Sequence, residues 1–197
     1  MFAQDYETLN ITMNLMPTFE FRLVNTWLLC IPMFAQMIYF IGIKKDIARR
    51  MSDMTGYNTK EKFFTIMSSV APYPFMIATF WTPFTPILPL LFIGLLIYVF
   101  GMVLIFLTIK VITETPEDKP FLSGPYRISR NPFYVAETAI FSGICLVSAN
   151  IILFVYLVSS VLVQHLMILA EERMCKQKYH PSYQRYMEEV PRYLVRF

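Results

Sequence analysis

Charge is missing from whole blocks of this sequence. Between Phe63 and Ile109 no charged side chain occurs at all. A bilayer core of about 30 Å is crossed by about 20 helical residues. The run therefore predicts two crossings, with Thr82-Pro83-Phe84-Thr85-Pro86 as the turn between them. The stretch from Leu23 to Ile43 is likewise free of charge, and the one from Asn131 to Ala170 carries a single acid, Glu137. Ser148-Ala149-Asn150 divides the latter into two near-equal halves. Five spans are predicted, at 23–43, 63–81, 86–109, 132–148 and 151–170. The first starts too late, and has the wrong flanks, for a cleaved signal peptide. Pro72 and Pro74 predict a kink in the second span, read either as a packing irregularity that membranes tolerate or as the opening of a cavity.

Composition agrees with this pattern: 56% of the 197 residues are hydrophobic, only 16% are charged, and mean hydropathy is +0.48. In soluble domains roughly a quarter of the residues are charged. The expected fold is all-α, a polytopic helical membrane bundle of about five transmembrane helices with a cytoplasmic C-terminal helix. Of the 17 Lys and Arg, all but Arg22 fall in the 44–62 loop, the 110–131 loop or the tail after Ala170. The positive-inside rule places those three segments in the cytoplasm and the N-terminus outside. Four or six spans would scatter the charges. A net charge of +3 suits anionic lipid headgroups and makes no case for nucleic acid. Cys30, Cys145 and Cys175 form no CxxC pair, and with two histidines no metal site is expected.

Two regions of different character follow. Residues 1–109 read as an N-terminal arm, exposed or interfacial as far as Arg22, and a three-span scaffold. Residues 110–197 hold a loop, a two-span hairpin and a tail, and concentrate the polar groups. The loop contains Gly124-Pro125-Tyr126-Arg127 and Arg130-Asn131-Pro132-Phe133-Tyr134. Pro132 suits the first turn of the next helix, where its missing donor is not needed. Arg130 and Tyr134 are four apart and share a face if that helix begins near Asn131. Glu137 lies one turn further, at membrane depth, where an ionisable group marks a candidate site; pairing with Arg130, or a place at the membrane interface, is the structural alternative. Gln164 and His165 are read as helix-to-helix hydrogen-bonding groups ahead of a catalytic role. Glu171 and Glu172 close the last span against the helix dipole. Tyr179, Tyr183, Tyr186 and Val190-Pro191-Arg192 follow, either as an amphipathic surface helix or as a lid.

In order and spacing, these pieces resemble the membrane methyltransferases that include isoprenylcysteine carboxyl methyltransferases and phosphatidylethanolamine or phospholipid N-methyltransferases. The resemblance covers the second of the two regions, from the loop through the tail, and the N-terminal spans add only topology. It implies an integral membrane enzyme that uses S-adenosylmethionine, releases S-adenosylhomocysteine, and acts on a lipid or lipidated acceptor at the cytoplasmic face. Gly124, Pro125, Tyr126, Arg130, Asn131, Tyr134, Glu171 and Glu172 are the implied cofactor-binding residues. Arg130, Asn131, Tyr134 and Glu137 are the catalytic candidates. The cofactor's ammonium calls for a carboxylate such as Glu171 or Glu172, its carboxylate for a two-pronged Arg130, and its sulfonium for the ring or hydroxyl of Tyr126 or Tyr134. No GxGxxG is present, which excludes a Rossmann cofactor site.

Two departures bear on the acceptor. Many relatives carry His where this chain has Asn131, whereas phospholipid methyltransferases commonly carry Asn-Pro-x-Tyr. The carboxyl methyltransferases place Arg directly before Val-Pro, where Glu189 stands here. Both tilt the expectation toward an amine or other lipid headgroup. Two alternatives have different requirements. An NADPH-dependent membrane sterol or enone reductase shares an Arg-x-Pro-x-Tyr loop and a Tyr-rich tail, but its 2′-phosphate would be repelled by the Glu pair. A non-enzymatic membrane assembly protein would need none of these groups.

Overall fold

The computed structural model describes residues 20–39 and 45–194. Most of the N-terminal arm, and residues 40–44 of the first predicted span and its loop, lie outside the described residues. All regular structure among the described residues is helical. A 3-10 turn at Thr26–Cys30 leads into α1 (Ile31–Ile38), followed by α2 (Lys45–Met51), α3 (Thr59–Val70), α4 (Pro72–Ala78) and α5 (Leu88–Glu114). After a 3-10 turn at Gly124–Arg127 come α6 (Pro132–Ser148), α7 (Ile151–Lys178) and α8 (Ser182–Glu189). Among the described residues, three segments are long and apolar enough to cross a membrane: Thr59–Trp81, Leu88–Glu114 and Ile151–Lys178. Thr26–Ile38 and Pro132–Ser148 are shorter apolar helices. The all-α polytopic architecture is thus as the hydropathy pattern predicts.

Local chemistry sets the ends of these helices. α3 starts ahead of the predicted span because Asn58 and Glu61 form a capping box, each side chain accepting from the other's backbone N–H at 2.9 and 2.8 Å. The helix breaks at Ala71, before the two prolines, and the Ala71 carbonyl accepts from the Tyr156 hydroxyl at 2.9 Å. Neighbouring side chains commonly satisfy backbone freed in this way. The α6–α7 turn passes through Ala149 in a left-handed conformation (φ +49). Asn150 then caps α7, its Oδ1 accepting from the N–H groups of Ile152 and Leu153 at 2.9 and 3.1 Å.

α5 and α6 pack antiparallel at very close range, because glycines stand where side chains would intervene. A Cβ on Gly101 would lie 2.8 Å from the Ile140 amide nitrogen, and one on Gly143 would lie 2.7 Å from the Gly94 carbonyl oxygen. Backbone cannot yield as a flexible side chain can. Gly101→Ala is therefore expected to push the two helices apart at a cost of about 1–3 kcal/mol, read as a lower thermal midpoint of the detergent-solubilised protein.

Both ends of the bundle are stitched by polar contacts. At one end the Thr26 amide donates to the Thr82 carbonyl (3.0 Å) and the Thr85 amide to the Val147 carbonyl (2.7 Å), fastening the Pro-rich turn. The three basic segments meet at the other. Arg50 donates to the carbonyls of Thr115 (3.0 Å) and Lys119 (2.6 Å), and Arg173 pairs with Glu61 through Nε (2.9 Å) and Nη2 (2.6 Å).

Candidate functional site

The loop before α6 is shaped by residues that keep their backbone in unusual places. Gly124 opens the 3-10 turn at φ +57, and a Cβ there would sit 2.9 Å from Val111 Cγ2. Pro125 is buried behind it. These two residues shape the turn and stand outside the lining of the cavity it borders. The turn carries Tyr126 inward, and Pro132 starts α6 so that Arg130, Asn131 and Tyr134 face the C-terminal end of α7. Together with Glu171 and Glu172 these four residues line a cavity of about 210 Å³. The two segments expected to form the cofactor site are therefore brought together.

The two glutamates, adjacent in sequence, have unlike surroundings. Glu172 is 4% exposed. It accepts from Arg130 Nε (3.0 Å) and Nη2 (3.2 Å), Asn131 Nδ2 (3.0 Å) and Arg192 Nε (3.0 Å). Both its oxygens are saturated. Glu171 is half-buried and accepts one side-chain hydrogen bond, from the Tyr134 hydroxyl at 2.8 Å. It faces the cavity with acceptor capacity in reserve, since an ionised carboxylate can take about four donors.

Arg130 is equally committed. Beyond Glu172 it donates through Nη1 to the carbonyls of Met187 (2.9 Å) and Val190 (3.2 Å), leaving one of its five N–H groups. Its backbone amide donates to the Pro191 carbonyl at 2.9 Å. The Arg192 carbonyl accepts from Ser129 Oγ (3.0 Å) and Asn131 Nδ2 (3.2 Å). The Tyr186 hydroxyl donates to the Tyr126 carbonyl at 2.6 Å. The tail is thus sewn along the 126–131 loop, and two guanidinium groups share one buried carboxylate.

Some predicted residues and groups fall elsewhere. Glu137 accepts from Gln164 Nε2 at 2.7 Å, pairing α6 with α7 as expected for a membrane helix contact, and does not pair with Arg130. It lines a small pocket of about 20 Å³ beside the α3–α4 break. That is room for about one water. His165 meets the tail, its Nδ1 lying 2.7 Å from the Tyr193 hydroxyl. Arg50, Asp53 and Tyr57, from the half read as scaffold, also line the larger cavity, as do Lys178, Tyr179 and Tyr183. Nothing in the local sequence marks residues 50–57 for this role, because the partners of Arg50 stand 65 and 69 positions away. The signal for Arg192 is its place at the end of the Val190-Pro191-Arg192 motif.

The phenols of Tyr57 and Tyr126, on the cavity wall, are held protonated. Burial pushes those of Tyr57 and Tyr126 up from their ordinary value, and the Glu171 charge adds to the effect. They present rings and neutral hydroxyls, which suits a cationic guest.

Residues 89–182 match the sequence model of the phospholipid methyltransferase family. No curated protein and no solved structure matches the chain. The matched segment contains Tyr126, Arg130, Asn131, Tyr134, Glu171 and Glu172, and leaves out both the 50–57 wall and the tail at 183–192. Over residues 89–182 the chain is similar to phospholipid methyltransferases, in agreement with the membrane methyltransferase family that its motifs resemble.

Proposed function

We propose that this chain is an integral membrane methyltransferase that uses S-adenosylmethionine to methylate a lipid acceptor, an amine headgroup ahead of an isoprenylcysteine-type group, at the cytoplasmic face. The observation that carries the reading is Glu171, a half-buried carboxylate with one hydrogen bond, facing a cavity beside a fully saturated neighbour. The donor set fits the cofactor. Glu171 would hold the ammonium by charge-assisted hydrogen bonds. Lys178 and Arg50, both on the cavity wall, are cations available to the carboxylate. Phe121, Tyr126 and Tyr183 provide aromatic surface for the adenine and the sulfonium. When bound, the cofactor supplies a methyl group activated by a sulfonium. The protein's own part is chiefly alignment, since an in-line displacement gains most from orienting the acceptor.

Arg130 and Asn131 act in this reading by fixing Glu172 and the tail, so that the loop and the end of α7 keep their separation. In this reading Glu137 serves the acceptor through the one water that its small pocket has room for. A protonated amine must lose a proton before it can attack, and Glu137 is a carboxylate on the same helix face as Tyr134, one turn deeper in the membrane. Glu137→Gln is expected to lower the single-turnover methylation rate at least about 100-fold. Binding of S-adenosylhomocysteine should hold, since Glu137 lies outside the larger cavity. The cytoplasmic placement is supported by the basic segments that meet at this end of the bundle.

A titration of the purified protein tests the assignment. S-adenosylhomocysteine should bind and NADPH should not compete. Tight NADPH binding with no response to S-adenosylhomocysteine would establish the reductase instead. Labelled cofactor offered with phosphatidylethanolamine vesicles, and separately with a prenylated cysteine analogue, identifies the acceptor. Label is expected in the former.

A further inference from the structure

One wall of the larger cavity comes from residues 50–57, outside the segment that matches the family. This wall is held in place from two sides. Arg173, next to the Glu pair, donates to Glu61 through Nε and Nη2 and to the Gly56 carbonyl at 3.1 Å. Arg50 bonds the carbonyls of Thr115 and Lys119, and its guanidinium lies 4.4 Å from the Phe121 ring centre. Within the wall the Asp53 carboxylate accepts from the Thr55 amide at 2.9 Å. Gly56 turns the chain at φ +80, and a Cβ there would lie 2.7 Å from the Met174 Cε. The turn aims Tyr57 at the cavity.

Six tyrosines line this cavity; Tyr126 and Tyr183 are buried, and three others have committed hydroxyls. Tyr134 donates to Glu171, Tyr186 to the Tyr126 carbonyl and Tyr179 to the Glu117 carbonyl. Tyr57 is half-buried, lines the cavity, and its hydroxyl has no hydrogen-bond partner among the described residues. Glu171 is the foremost charged group acting on it. A carboxylate and an uncommitted aromatic ring on the walls of one cavity are the two components that bind an onium ion. The carboxylate supplies net charge, and the ring face supplies attraction at little desolvation cost.

We propose that Tyr57 is a cofactor-contacting residue that presents its ring to the sulfonium, forming with Glu171 a single onium-binding site that spans the two halves of the chain. The inference rests on the S-adenosylmethionine reading above and adds to it a property of this chain. A ring that recognises the positive sulfur favours the methyl donor over its product, whose sulfur is a neutral thioether. Tyr57 thereby discriminates substrate from product.

The test compares affinities for S-adenosylmethionine and S-adenosylhomocysteine by calorimetric titration of the purified full chain. Tyr57→Leu is expected to weaken S-adenosylmethionine roughly five- to tenfold while changing S-adenosylhomocysteine less than about twofold. Tyr57→Phe and Tyr57→Trp keep a ring and are expected to keep the preference for the sulfonium. Equal loss of both ligands in Tyr57→Leu, or no loss of either, would overturn the proposal, as would Tyr57→Phe behaving like Tyr57→Leu. Failure of the wild-type protein to bind either ligand would overturn the cofactor reading itself, which separates the two claims. The ring-retaining variants keep the test decisive should the leucine variant fold poorly.

Discussion

Replacing Glu171 by Gln is expected to reduce S-adenosylhomocysteine affinity by about two orders of magnitude while leaving the thermal midpoint of the protein nearly unchanged. The reason is the asymmetry between its present partners and its proposed one. Its one protein hydrogen bond comes from the Tyr134 hydroxyl, and a glutamine oxygen accepts that bond equally well. The lost interaction is with the ligand's ammonium in a partly desolvated site, where truncating one charge of a pair costs about 2–5 kcal/mol. Tyr134→Phe serves as the comparison. It removes a group that orients Glu171 and should cost only about 1 kcal/mol, a factor of roughly five. Titration calorimetry reads the affinities and a detergent melt reads the stability. Undiminished binding in Glu171→Gln would remove this residue from the site.

Glu172→Gln should have the opposite profile, with a fall of about 10 °C in the melting midpoint and loss of binding as a consequence. Glu172 is 4% exposed and serves Arg130, Asn131 and Arg192 together. Removing one partner of a buried ion pair costs about 3–5 kcal/mol, because the remaining charges are stranded. At about 2–4 °C per kcal/mol for a chain of this size, the shift is easily read. A second signature follows from the stitching of the tail. Arg192 and the carbonyls of Met187 and Val190 are held through this node, so residues 187–194 should become susceptible to protease. A variant that binds poorly yet melts normally, with its tail protected, would show that Glu172 contacts the ligand directly.

These two expectations mark where the sequence could be read and where it could not. The Glu pair was legible as a feature, two acids at the end of an apolar span that require compensation, although α7 runs on to Lys178 and so holds them clear of the helix end and its dipole. Which of them is compensated was not. Residues i and i+1 on a helix point about 100° apart, and whether each meets an arginine or a cavity depends on what the fold brings alongside. Arg130 was likewise legible as a carboxylate ligand, but that carboxylate is Glu172 of the protein. The choice between Glu171 and Glu172 for the ammonium, left open by the motifs, is narrowed by counting donors.

The membrane pattern was the most readable part, for a physical reason. In lipid every backbone group must be satisfied within its own segment, so a span is a helix of set length that declares itself by composition alone. The turns at 82–86 and 148–150, the break at Pro72 and the start of α6 at Pro132 are all local and appear where proline and asparagine chemistry places them. Boundaries slipped where a cap or a polar extension intervened. α3 begins at its capping box, and α7 runs on to Lys178, past the predicted end at 170, to carry the Glu pair and Lys178. The glycines that let α5 and α6 touch were not singled out, since their spacing gains meaning only against the facing helix.

By itself, then, the order of residues determined a helical membrane bundle, the gathering of its basic segments at one end, and the family resemblance of its second half. All of these follow from properties of contiguous segments, in which hydropathy and motif spacing are complete descriptions. Tertiary structure alone decided that residues 50–57 wall the cavity, that Arg192 shares Glu172 with Arg130, and that Glu137 faces Gln164. Each of those depends on groups far apart in the chain, from 20 to 117 positions, meeting within hydrogen-bond distance. Such meetings are set by how helices pack, and no single segment records them.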